Sequence, residues 1–186
     1  MLQFKNKCFE RQARKFHNYY LNRFISMKRA PDLLLLEMFP NAKEITESFA
    51  AFEAMTHLSY DYKEDIQIVV VGDGTKPRTG ATFAFRSNWS VISLDPLMKK
   101  TDYNIKRLTV YKARMEDLTF EFDKPTVIVC VHSHAKLSVC LKHITAPKLH
   151  IINIPCCVKP DIGKPILSYN DLNLQSEKNT VEIYVL

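Results

Sequence analysis

No apolar run in the 186-residue chain approaches the ~20 residues that a membrane-crossing helix needs. The Met1 end is basic but has neither an apolar core nor a small-residue cleavage site, so no secretory signal is expected. There is no Cys-x-x-Cys pair. The five cysteines (Cys8, Cys130, Cys140, Cys156, Cys157) are odd in number, which argues against a disulfide scaffold and against a structural zinc site. A reducing, cytoplasmic compartment is the expectation. Internal repeats and low-complexity segments are absent too. With 46% hydrophobic and 25% charged residues, the chain has the balance of an ordinary globular protein, long enough for one well-buried domain with a helical extension.

Positive charge is present but uneven. Residues 1–30 hold Lys5, Lys7, Arg11, Arg14, Lys15, Arg23, Lys28 and Arg29 against the single acid Glu10, a net +7 where the whole chain carries +6. The first five of these are candidate contacts to an anionic substrate, RNA or an acidic protein partner; the alternative is a solvated helix face. Phe9, Ala13, Phe16, Tyr20, Phe24 and Met27 follow helical spacing and predict a helix over residues 8–27. It either lies on a membrane surface or packs on its own domain. Asn41 with Glu44 reads as a capping box, and Ile45, Phe49, Phe52 and Met55 give a second amphipathic helix. Residues 1–60 are therefore expected as a basic helical N-terminal extension, and residues 61–186 as a Rossmann-like domain.

The second part is organised around residues 65–96. Residues 66–71 are nearly all β-branched, as in a strand buried on both faces of a parallel sheet. Gly72-Asp73-Gly74 makes a sharp turn, a helix follows over residues 79–86, and a second strand over residues 90–94 ends at Asp95. In such a strand–turn–helix–strand unit, an acid at that distance reaches the hydroxyls of a bound ribose. Further strands are predicted at residues 108–111, 126–131, 149–154 and 180–185, with a helix over residues 135–144. The expected fold is α/β, a doubly wound and mostly parallel sheet with a helical N-terminal extension.

In this order the motifs resemble those of class I S-adenosylmethionine-dependent methyltransferases over roughly residues 60–160. The glycine-rich first motif is matched by Val71-Gly72-Asp73-Gly74-Thr75, the acid ending the second strand by Asp95, and the adenine-side segment loosely by Met115-Glu116-Asp117-Leu118. His132-Ser133-His134 falls where the family places its motif nearest the transferred methyl group. The resemblance implies S-adenosylmethionine as cofactor, held by Gly72, Asp73, Gly74, Thr75, Arg78, Thr79, Asp95, Glu116, Asp117, His132 and Ser133. The chain departs from the family at Lys76-Pro77-Arg78-Thr79, where a third glycine or small residue is usual. It also departs at Arg114, where an adenine-binding aspartate is common, and at its C-terminal end, where only one of the two usual antiparallel strands is evident. A reduced, non-catalytic binding protein stays open on that account.

A nicotinamide dinucleotide is the second cofactor reading, but Pro77 replaces the third glycine of that fingerprint and removes a donor N–H. No Gly-Lys-Ser/Thr follows the turn, which excludes a Walker A loop. Methyl transfer asks the protein mainly for alignment. His132 and His134, on one side if their strand continues, are candidate general bases, the alternative being a hydrogen-bonded structural imidazole with Ser133 capping the next helix. Asp73 either meets an ammonium group or caps the helix after it. Cys156 after Pro155 is a candidate nucleophile or a buried, inert thiol. No third metal ligand stands out beside the histidines, so no metal is expected.

Overall fold

In the computed structural model, which describes residues 19–58, 60 and 64–186, the β-branched runs become the inner strands of a seven-stranded sheet. The first three strands are β1 (Gln67–Val71), β2 (Ser90–Leu94) and β3 (Leu108–Tyr111), the last at one edge of the sheet. After a two-residue strand β4 (Phe120–Glu121) come β5 (Thr126–Val131), the short β6 (Ile144–Thr145) and β7 (Leu149–Ile154). The chain closes with β8 (Leu167–Asn170) and β9 (Thr180–Val185). The order across the sheet is β3-β2-β1-β5-β7-β9-β8. The strands from β3 to β7 run parallel, while β9 lies antiparallel to both β7 and β8. The order reverses between β1 and β5, and open α/β sheets bind ligands beyond the carboxyl ends of strands at such a switch point.

The expectation of a single C-terminal strand is corrected: β8 and β9 are both present. β8 reads Leu-Ser-Tyr-Asn, a four-residue edge strand alternating between half-buried and exposed. It has no continuous apolar run, and so offered little signal.

Five helices flank the sheet among the described residues: α1 (Tyr19–Ile25), α2 (Ala30–Leu35), α3 (Ala42–Ala54), α4 (Arg78–Arg86) and α5 (Leu137–His143). Of the stripe predicted over residues 8–27, Tyr20 and Phe24 are buried in α1; Phe9, Ala13 and Phe16 lie outside the described residues. Asn41 caps α3 by accepting the Glu44 N–H at 3.1 Å, and the predicted face of Ile45, Phe49 and Phe52 is buried, with Met55 just beyond.

Two apolar clusters cover the two sheet faces. One joins α1, α3 and α4 to Ile68, Val70, Val127 and Val129; the other packs Val69, Val71, Ile128 and Ile151 against Leu137 and Cys140 of α5. In the first, Trp89 meets Phe52 and Phe83 at ring distances of 5.8 and 6.2 Å. The Arg86 guanidinium lies 4.2 Å over Phe52 and pairs with Glu53 at 2.9 Å, so its charge is satisfied where its stem is buried.

Candidate functional site

The turn after β1 is built by two left-handed glycines, Gly72 at φ +78° and Gly74 at φ +80°. A Cβ on Gly72 would lie 2.2 Å from Ser133 Oγ, so the missing side chain is what lets the loop after β5 come this close. Asp95, at the end of β2, holds the turn from the other side. One carboxylate oxygen accepts the Gly74 N–H at 2.8 Å and the other accepts the Leu97 N–H at 2.7 Å.

Of the two roles open to Asp73, the geometry gives the helix cap. Its oxygens accept the Thr79 and Gly80 N–H groups, each at 2.9 Å, and the Ser93 hydroxyl at 2.8 Å. Burial pushes its carboxyl above the usual aspartate range, with those hydrogen bonds opposing the rise. The close helix–strand approach that Pro77 forgoes occurs at Gly80, where a Cβ would meet Ser93 Cβ at 2.8 Å and Leu108 Cδ1 at 3.1 Å.

Two cavities open at this crevice. One, of 460 Å³, is lined by Asp95, Leu97, Arg114, Met115, Glu116 and Ser133 among others. The other, of 640 Å³, is lined by Glu44, Glu47, Arg78, Thr79, Cys156 and the segment from Gln175 to Lys178 among others. Gly72, Gly74 and His132 border both. Thr75 and Asp117 reach neither. The Thr75 carbonyl accepts the Lys99 N–H, and Asp117 accepts the N–H of Arg114. Lys5, Lys7, Arg11, Arg14 and Lys15 lie outside the described residues.

His132 and His134 both border the smaller cavity, but their ring nitrogens meet different partners. β5 stops at Val131, and His132 takes a left-handed backbone at φ +49°, which breaks the strand's alternation. The His132 Nε2 lies 3.0 Å from Glu47 Oε1 and 3.2 Å from Ser176 Oγ. Glu47 is 3% exposed and also meets Lys43 Nζ at 3.3 Å. Burial raises the Glu47 pKa, but the hydrogen bond and charge of His132, followed by Lys43, outweigh it and hold the carboxyl below the usual glutamate range. Ser133 Oγ accepts the Ala135 N–H at 3.1 Å, ahead of α5 rather than at its first turn.

His134 is exposed, with its Nε2 3.3 Å from Cys157 Sγ, and Cys156 is half-buried on the wall of the larger cavity. The sequence offered no third ligand to a histidine pair, yet here one histidine meets two cysteines from a different strand end.

Glu47 and the Gln175–Lys178 segment were not legible as site residues. Glu47 sits in a run, Thr46-Glu47-Ser48, that is polar yet buried; it lies beside the apolar stripe of α3 and faces the switch point. The basic loop is tied to the helices above it. Lys76 Nζ donates to the carbonyls of Leu36 and Glu37 at 3.2 and 2.6 Å, and Arg78 lies 3.8 Å from Glu44.

No protein-family model and no curated protein matches the chain. Among solved structures, it is similar to a Glu-to-Gln variant of MtNAS in complex with S-adenosylmethionine. The identity is 14%, the TM-score 0.53, and the match covers 91% of this chain and 71% of that one. An S-adenosylmethionine-dependent methyltransferase of Leishmania major matches at 11% identity and a TM-score of 0.45, over 91% of this chain and 82% of the other. The strand order, the antiparallel β9 and the likeness to the first of these structures agree on the fold: a doubly wound, mostly parallel Rossmann-like α/β sheet.

Proposed function

We propose that the protein binds S-adenosylmethionine at the β1/β5 switch point and transfers its methyl group to an acceptor that enters the larger cavity. The observation that carries this reading is Asp95. Its carboxylate is buried at the mouth of the 460 Å³ cavity, and each oxygen holds one backbone N–H. Each oxygen therefore keeps a lone pair for a ribose hydroxyl. Arg114, Met115 and Glu116 line the same cavity, on the side where an adenine would rest. The Cβ-free surface of Gly72 joins this space to the 640 Å³ cavity, where the amino-acid part and the acceptor would meet.

When bound, S-adenosylmethionine supplies an electrophilic methyl carbon on a sulfonium. The chain supplies alignment and a proton acceptor. His132, held by Glu47 at 3.0 Å on the wall of the larger cavity, takes the proton that a hydroxyl or nitrogen acceptor loses as its bond to carbon forms. Charge supports an anionic acceptor, RNA or an acidic protein, steered by Lys5, Lys7, Arg11, Arg14 and Lys15. A reducing, cytoplasmic setting belongs to the same reading, and the four described cysteines are free thiols.

Calorimetric titration with S-adenosylmethionine and with S-adenosylhomocysteine tests this. Saturable one-site binding is expected, with Asp95→Ala weakening it about 10- to 100-fold through loss of charge-assisted bonds. Absence of binding to the folded wild-type protein overturns the reading. Binding with no methyl incorporation into RNA, protein or small-molecule pools leaves instead a binding protein that kept the fold.

A further inference from the structure

The parallel ladder between β5 and β7 pairs Val131 with Ile154 as its last register position. Three residues beyond each partner stand His134 and Cys157, so equal offsets from a fixed register bring an imidazole opposite a thiol. Their Nε2 and Sγ atoms are 3.3 Å apart. Cys156 completes the group: one donor atom from each of the three residues lies within 4.8 Å of the other two. A tetrahedral centre with metal–sulfur bonds of about 2.3 Å and a metal–nitrogen bond of about 2.0 Å holds such atoms roughly 3.5–3.8 Å apart. Shifts of about 1 Å or less therefore suffice to close three donors on one ion.

The surroundings suit a metal. The Lys178 ammonium donates to the Cys156 carbonyl at 2.7 Å, pinning the loop that carries both thiols. Cys157 and His134 are exposed, so an ion has a path in, and one coordination position stays open. The group also has a defined place in the molecule. Cys156 lines the 640 Å³ cavity and His134 the 460 Å³ cavity, so the cluster stands on the rim between them.

We infer that His134, Cys156 and Cys157 form a three-donor site for a thiophilic divalent ion, zinc foremost, with a fourth position open to water or to an incoming thiol. Two thiolates and a neutral imidazole balance the 2+ charge, and each thiol releases one proton to solvent on binding. Imidazole and thiolate together select against magnesium and calcium.

The test uses the full chain, reduced and stripped of metal with a chelator, then titrated with cobalt(II) as a spectroscopic stand-in for zinc. A thiolate-to-cobalt charge-transfer band and intense tetrahedral ligand-field bands are expected. They should saturate at one ion per chain and vanish as zinc displaces the cobalt. Cys157→Ser and His134→Ala should each weaken binding at least tenfold with an unchanged circular dichroism spectrum, since both positions are exposed, while Cys8→Ser leaves it intact. Lack of the charge-transfer band in the wild-type protein, or its survival in the C156S/C157S double variant, overturns the site.

Discussion

Gly72 carries two demands that no other residue type meets together. Its φ of +78° strains any side chain, and a Cβ would collide with Ser133 Oγ at 2.2 Å and Ser133 Cβ at 2.8 Å. Gly72→Ala is expected to cost about 1–3 kcal/mol. Adding Ser133→Gly should return only part of that loss, because the backbone strain remains. Urea denaturation of the single and double variants separates the two contributions. Glu47 makes a different demand. Its unfolded carboxyl titrates near 4.5 and its folded one lower, so between those values the unfolded chain binds more protons. Stability contributed by the Glu47 contact is complete above the unfolded value and is lost as pH falls through the folded one. Glu47→Gln should therefore show a shallower loss of stability below about pH 5 than the wild-type protein, measured by thermal unfolding across pH. An identical acid limb in both proteins would show that Glu47 is not held ionised by its neighbours.

At the scale of elements, the stiff basic segment after Gly74 is a fastening. Lys76 places its ammonium on the carbonyls of Leu36 and Glu37 at the end of α2, where the helix dipole is negative, and Pro77 fixes the backbone between Lys76 and Arg78. Lys76→Met is expected to cost about 1–2 kcal/mol and to speed amide exchange over residues 36–39 while leaving β1 protected. The same elements show how far local sequence reaches. α3 was legible because a cap and an apolar stripe are both local signals. So were the inner strands, which are continuous apolar runs. β8 was not, since an edge strand needs no such run. The site divides the same way. Gly72, Gly74 and Asp95 could be found because a turn and its acid lie in one unit of chain. Glu47 against His132, and His134 against Cys157, depend on which helix covers the switch point and on cross-strand register. Neither is written in the spacing of one segment.

For the whole molecule, the question is whether the crevice is organised for a ligand or is only a seam between strands. The glycine turn, Asp95 and the loop after β5 all meet there, and the turn and Asp95 belong to neither of the apolar clusters that cover the sheet faces. A ligand seated there joins β1, β2 and β5 in the folded state alone, so it stabilises the native protein by mass action. At a hundred times its Kd, S-adenosylmethionine should contribute about 2.7 kcal/mol. For a chain of this length, that raises Tm by about 5–11 °C. A nicotinamide dinucleotide at equal concentration should shift Tm by less than about 1 °C, because Pro77 stands where a pyrophosphate needs a glycine and a free N–H. The reverse ranking in a thermal-shift measurement would move the assignment from methyl donor to dinucleotide, and would make Lys76 and Arg78 candidate phosphate ligands.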